Sequence, residues 1–202
     1  MRLVLGQQVV GGGAVLARDG DGRVVFVDGA LPGETVEVGP LDRHGDFARG
    51  QAEAIVDPSP HRVAPPCPHA TAGCGGCQWQ HVDPAAQVEL KELIVSDALR
   101  RIAGPAADGV VRLDAIRLPD SGYRTTGRLA ADGTGRLAYR RRRSRQLLSV
   151  DECHVAHPRL AELIACVHVT GWREVTLRVG VAGGERLAVP SGPVGGSRRR
   201  VE

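Results

Sequence analysis

The chain has 202 residues, 42% hydrophobic and 24% charged, with a formal net charge of +3 and five cysteines. That length suffices for one large or two small domains, each with its own core, and no stretch approaches the roughly 18 to 20 apolar residues of a membrane span. The N-terminus, Met1-Arg2-Leu3-Val4-Leu5-Gly6-Gln7-Gln8, is too short and polar for a secretory signal; a cytoplasmic protein is expected, with thiols kept reduced and open to metals.

The charge is unevenly spread. Residues 1–66 carry six arginines against nine acids, and 67–111 carry three bases against five acids. Residues 112–145 carry ten arginines against three aspartates, a surplus of seven. Focused positive charge of this kind points to a polyanion, nucleic acid first. Lys91 is the only lysine. Arginine suits bidentate phosphate contacts, although a GC-rich genome also favours its codons.

Residues 1–57 read as short strands separated by turns. Val9-Val10 precedes the break at Gly11-Gly12-Gly13, and Ala14-Val15-Leu16-Ala17 follows it. Val24-Val25-Phe26-Val27, Thr35-Val36-Glu37-Val38 and Ala48 to Val56 complete the series, with turns at Asp19-Gly20-Asp21-Gly22 and Leu31-Pro32-Gly33-Glu34. This pattern predicts a small β-barrel of the OB type. The glycine triplet is not a phosphate-binding loop, since no Gly-Lys-Ser/Thr follows it.

Residues 58–82 form an irregular segment organised by Cys67, Cys74 and Cys77, with Gly75-Gly76 between the last two and Gln78-Trp79-Gln80-His81 after them. Cys153 stands far downstream in Asp151-Glu152-Cys153-His154. Four soft ligands among five cysteines point to a metal centre rather than a disulfide framework. Spacing alone leaves an iron–sulfur cluster and structural zinc both open. His69, His81 and His154 read as polar neighbours of the site, with alternative metal ligation the competing reading. Trp79 reads either as a nucleic-acid contact or as a shield for the metal. Cys166, after Leu160, Leu163 and Ile164, reads as a small core residue.

Residues 83–190 are expected to form an α+β domain. Asp83-Pro84 supplies an N-cap and first-turn proline for a helix running to about Ala103, stopped by Gly104-Pro105. Leu90, Leu93, Ile94, Ala98 and Ile102 can share one of its faces. Strands are predicted at Arg112–Leu118, Tyr123–Ala131, Arg136–Arg141 and Gln146–Val150, with a hairpin turn at Asp132-Gly133-Thr134-Gly135. A helix over Pro158–Val167 and strands at Glu174–Val181 and Arg186–Val189 follow, and residues 191–202 read as a disordered tail. Arg140, Arg141 and Arg143 lead the candidate phosphate contacts, extended by Arg124, Arg128 and Arg136; strand alternation lets only about half of them face one nucleic acid. The competing reading is a solvated hairpin tip. With 3% aromatic residues, extended stacking platforms are not expected.

From about Gly11 to about Val189 these motifs resemble the N-terminal half of the bacterial RNA (uracil-5-)-methyltransferases. Gly12-Gly13-Ala14-Val15, Val25-Phe26-Val27 and Ala30-Leu31-Pro32-Gly33-Glu34 resemble that family's TRAM domain, an RNA-binding barrel. Pro58-Ser59-Pro60-His61-Arg62, Cys67-Pro68 and the run Cys74 to His81 resemble its iron–sulfur segment. Gly122-Tyr123-Arg124, Gly127-Arg128, Leu137-Ala138-Tyr139-Arg140-Arg141 and Asp151-Glu152-Cys153 resemble its central domain. The resemblance implies a 4Fe–4S cluster on Cys67, Cys74, Cys77 and Cys153, with zinc the alternative, and ribosomal or transfer RNA as partner. The Cys67–Cys74 gap is a residue longer than is common in the family.

In the family, a Rossmann-like domain that binds S-adenosylmethionine follows this region and carries the catalytic cysteine and base. That cysteine attacks uracil C6, C5 takes the methyl group and then loses its proton, which requires a base out of its stack. No such domain stands before Glu202, so no catalytic residue is assigned and S-adenosylmethionine is expected only for the full-length enzyme. The expectation is therefore an RNA-recognition and cluster-binding portion, a fragment or one half of a split enzyme partnered by a separate methyltransferase half. A standalone RNA-binding protein with a structural metal is the alternative, and a cluster-based redox or metal sensor a further rival.

Overall fold

A computed structural model describes residues 1–107, 115–195 and 200–202. It divides into two compact units, Met1–Pro65 with Gln78–Arg117, and Pro66–Cys77 with Leu118–Glu202. Among the described residues no helix is long and apolar enough to cross a membrane.

The first unit is a β-barrel. Its strands are β1 (Arg2–Val4), β2 (Val15–Arg18), β3 (Val24–Asp28), β4 (Thr35–Val38), β5 (Asp42–His44) and the long β6 (Phe47–Asp57). They pair in the order β1-β4-β6-β3-β2, with β5 beside β6. β3 and β6 run parallel, while the other pairs are antiparallel. The path closes because Gly6 N–H donates to Leu16 O at 2.9 Å and Leu16 N–H to Gln8 O at 3.0 Å, joining the chain after β1 to β2.

Period-two alternation sets the core. Val25 and Val27 point inward from β3 and Val36 and Val38 from β4, against Leu3, Leu5, Val15 and Ala48. Each fully buried valine contributes about 1.5–3 kcal/mol. Glu34 is wholly buried, yet both its oxygens are engaged. It accepts from Arg62 Nε and Nη2, each at 2.6 Å, from Leu31 N–H at 2.8 Å and from Ser59 N–H at 3.0 Å. This fork fastens the chain after β6 to the barrel.

Helix α1 (Pro84–Ala103) starts where its signals stand. The Asp83 carboxylate accepts from the N–H groups of Ala85 at 2.9 Å and Ala86 at 3.3 Å, and Pro84 occupies the first turn. Leu90 and Ile94 pack on the barrel's core together with Trp79. The helix expected within the α+β segment 83–190 thus covers an apolar end of the barrel instead. Leu93 and Ile102, expected on the same buried face, are 59% and 85% exposed. Trp79 lies so close to Gly13 that a Cβ there would overlap the indole, and Gly13 also has φ +86.

The second unit is an antiparallel sheet with one covering helix. β7 (Thr126–Ala131), β8 (Leu137–Arg140) and β9 (Leu147–Leu148) precede helix α2 (Pro158–Cys166). After it come β10 (Val169–Thr170), β11 (Trp172–Val179), β12 (Arg186–Pro193) and β13 (Arg200–Val201). The main sheet runs β12-β11-β7-β8-β9, and β10 pairs with β13. Leu160 and Leu163 of α2 bury against Leu129, Tyr139, Val175 and Leu177.

Several expectations shift here. Of the strand expected at Arg112–Leu118, residues 112–114 lie outside the described residues and 115–118 are not strand. Of the tail expected at 191–202, residues 196–199 lie outside the described residues, β12 extends as far as Pro193, and Val201 of β13 pairs with Val169. Cys166 is exposed rather than core. It ends α2, and Val167 beyond it fills the buried position.

Candidate metal centre and basic surface

The cysteine loop begins with Cys67, which opens a single helical turn, Pro68–Thr71. The chain then reverses, and Cys74 N–H donates to His69 O at 2.9 Å. From there the loop is laced to the tip of the β8–β9 hairpin. Gly75 N–H donates to Arg140 O at 2.9 Å, Arg142 N–H donates to Gly73 O at 3.0 Å, and the Arg141 guanidinium donates to Ala72 O. The approach requires glycine at 75, because a Cβ there would stand 2.9 Å from Arg140 O and 3.3 Å from the Arg142 backbone.

Cys153 reaches the same neighbourhood from the other end of the unit. Its carbonyl accepts from Ala156 N–H at 2.9 Å, in a turn whose next residues are paired with Arg124. Arg124 N–H donates to Val155 O and His157 N–H donates to Arg124 O, both at 2.8 Å. The side chain of Arg124 turns to the cysteine loop and donates from Nη2 to Gly76 O at 2.8 Å.

The thiols influence one another electrostatically. Burial pushes the Cys74 thiol above its ordinary value, the Gly76 N–H opposes this, and Cys77, Cys153 and Cys67 each raise it further. Burial works against the charge of Arg124, but Cys77 heads the neighbours that outweigh it and Cys153 is among them, so its pKa is raised. Burial, then the hydrogen bond to Cys153, raises the Tyr139 phenol, whose hydroxyl donates to Cys153 Sγ at 3.6 Å. Gly76 N–H donates to Cys74 Sγ at 3.4 Å.

Among the described residues, no set of three or more His, Cys, Asp or Glu side chains stands in a metal-holding arrangement. The donor chemistry nonetheless suits a thiophilic centre: Cys74 and Cys153 accept hydrogen bonds at sulfur, and the Arg124 guanidinium reaches the loop between Cys74 and Cys77. Thiolates are the ligands of iron–sulfur clusters and of sulfur-bound zinc, and N–H and O–H donors to sulfur tune such sites. Trp79 instead packs against the core of the barrel unit.

The candidate RNA contacts separate into distinct environments. Arg124 is committed to Gly76 and Arg141 to Ala72. Arg128 and Arg140 both bind Glu174, at 2.9 Å from Arg128 Nε to Oε2 and 2.9 Å from Arg140 Nη2 to Oε1. The hydrogen bonds from Arg128 and then Arg140 hold the Glu174 carboxyl below its ordinary range. Arg136 is exposed. Arg143 occupies the hairpin tip with φ 49, a left-handed backbone that costs a non-glycine residue about 1 kcal/mol. No local sequence signal marks Glu174 or Tyr139 as a partner across a sheet.

No family model matches the chain. An uncharacterised RNA methyltransferase of Streptomyces coelicolor is 39% identical over 169 residues, which cover 77% of this chain and 36% of that protein. One from Gloeobacter violaceus is 36% identical over 196 residues, 87% of this chain and 42% of that one. The 23S rRNA (uracil(1939)-C(5))-methyltransferase RlmD of Methylococcus capsulatus is 40% identical over 149 residues, 71% of this chain and 33% of that enzyme. The homologues are thus RNA methyltransferases, uracil-5 enzymes among them, and the chain spans 33–42% of the length of these three. Among solved structures, the tRNA (uracil-54, C5)-methyltransferase of Pyrococcus abyssi, in complex with S-adenosyl-L-homocysteine, shares the fold with a TM-score of 0.58 and 23% identity, over 94% of this chain and 45% of that one.

Proposed function

We propose that this chain is the RNA-recognition and 4Fe–4S-binding portion of an RNA (uracil-5-)-methyltransferase acting on ribosomal or transfer RNA. The observation that carries the reading is that Arg124, bonded through its backbone to Val155 and His157 just past Cys153, donates from its side chain to Gly76 between Cys74 and Cys77, in a chain whose homologues are RNA methyltransferases. The barrel supports a TRAM assignment, because its strand order with one parallel pair, β3 with β6, follows OB topology.

In this reading Cys67, Cys74, Cys77 and Cys153 hold the cluster. When bound, it supplies a covalent cross-link between the cysteine loop and the segment after β9, and no electron transfer, since uracil methylation has no net redox step. The protein's own groups do the rest. Gly76 N–H and the Tyr139 hydroxyl orient sulfur lone pairs, and Arg124 offsets thiolate charge. The hairpin tip bearing Arg141 and Arg143 is held to the loop by its backbone bonds, so order in the loop becomes order in a basic surface. S-adenosylmethionine and the methyl-transfer chemistry belong to the remainder of such an enzyme.

The test is binding of labelled 23S rRNA and tRNA transcripts to the anaerobically purified chain at several salt concentrations. Saturable binding that weakens steeply with salt supports the reading; absence of binding to either RNA at low salt contradicts it.

A further inference from the structure

Away from the cysteines, the second unit has a concave site of about 500 Å³ between the β7–β8 turn, β9 and the β10–β11 corner. That volume lies in the range of small-ligand pockets. Arg140, Arg145, Arg173 and Trp172 line it, together with Asp132 and Leu147.

Its charge is set by the arginines. The Asp132 carboxylate is occupied by its own turn, where Oδ1 accepts from Thr134 N–H at 2.8 Å, Thr134 Oγ1 at 2.7 Å and Arg136 N–H at 3.0 Å. Arg140 is anchored by Glu174 and by the Arg145 carbonyl, which it meets at 3.0 Å. No carboxylate pairs with the guanidinium groups of Arg145 or Arg173 among the described residues. Two planar cations with no carboxylate partner among the described residues, a third held in place and an indole lining the same concavity match a phosphate joined to a flat base.

We propose that this pocket takes one nucleotide of a single-stranded RNA, its phosphate met by Arg145 and Arg173 and its base laid against Trp172. The proposal rests on the RNA reading above and adds a place at which a strand is gripped. A duplex keeps its bases stacked inside, so only an unpaired nucleotide can enter. A free nucleotide offers the same chemistry, and the test separates the two.

The experiment uses the full chain with Trp79→Phe, which leaves Trp172 as the sole tryptophan. Titration with a labelled oligouridylate follows Trp172 emission and the anisotropy of the label, and anisotropy alone repeats the measurement with Trp79 intact. Quenching on binding is expected. Arg145→Ala with Arg173→Ala should weaken binding roughly tenfold and reduce the log–log salt slope by about 0.7, the share of one phosphate contact. Trp172→Ala should weaken binding roughly tenfold and Trp172→Phe much less. Unquenched Trp172 with bound oligouridylate, or wild-type affinity and slope in the arginine double variant, overturns the pocket and leaves the RNA reading standing. Uridine monophosphate displacing the oligomer at equal nucleotide concentration overturns the strand in favour of a free nucleotide. A wild-type chain that binds neither oligouridylate nor the rRNA and tRNA transcripts overturns both.

Discussion

Arg124 donates its guanidinium to the carbonyl of Gly76 at 2.8 Å, while its backbone is bonded to Val155 and His157 just past Cys153. One residue thereby joins the two stretches that carry the four thiols. A cluster held by four thiolates is anionic, and a half-buried cation beside it lowers the cost of enclosing that charge.

Replacing Arg124 with Leu should therefore weaken metal retention by about 10–100-fold in a chelator challenge. Arg124→Lys should lie between, keeping the charge and losing the fork. The salt dependence of RNA binding should change little in either variant. Unaltered metal retention with a shallower salt slope would return Arg124 to the RNA surface.

Gly75→Ala should destabilise the protein by about 1–3 kcal/mol, because its Cβ would press on the Arg140 carbonyl and the Arg142 backbone, neither of which can swing aside. Gly45→Ala, where a Cβ meets nothing within 4 Å, is the control and should stay within about 0.5 kcal/mol of wild type. Urea unfolding of both variants checks this. Equal midpoints would show that the loop and the hairpin are not in register as described.

Glu34 carries the pH dependence of the first unit. Burial alone would raise its pKa, but the hydrogen bonds from Arg62, then Ser59 and Leu31, bring it below the ordinary 4.5. A carboxylate with a lowered folded pKa gives stability that is present above its unfolded value and disappears as pH falls through the folded one. Stability should thus decline below about pH 4.5 in wild type. Glu34→Gln should lose about 3–5 kcal/mol at neutral pH, leaving Arg62 without its counter-charge, and show a flatter acid limb. Denaturation curves from pH 7 to pH 3 measure both.

Within the basic surface, contributions should follow commitment rather than charge count. Arg136→Ala should shift the salt slope of RNA binding by about 0.7, one phosphate contact. Arg128→Ala should shift it less, since that guanidinium is already paired with Glu174. Filter binding across a salt series distinguishes them, and a larger effect at Arg128 would refute the ranking.

What the sequence revealed and what it concealed have physical reasons. Asp83-Pro84 and Gly104 mark the ends of α1 because capping is local, and the inward valines of β3 and β4 follow from strand alternation. The partner of α1 was not legible. Periodicity defines a face, but only the barrel decides that Leu90 and Ile94 are covered while Leu93 and Ile102 are not. The cysteines stand out by type and spacing. Arg124 and Tyr139 do not, because their link to the thiols spans the sheet and the loop. The arginine surplus at 112–145 was equally visible, yet Glu174, far along the chain, claims two of its members.

The most direct measurement is iron, acid-labile sulfide and zinc analysis, with visible absorption, of the anaerobically purified chain and its Cys153→Ser variant. About four iron and four sulfide per wild-type chain, with a broad visible band and marked loss in the variant, is the expected result. Stoichiometric zinc in place of iron, or a variant as fully loaded with iron as the wild type, contradicts a cluster closed by Cys153.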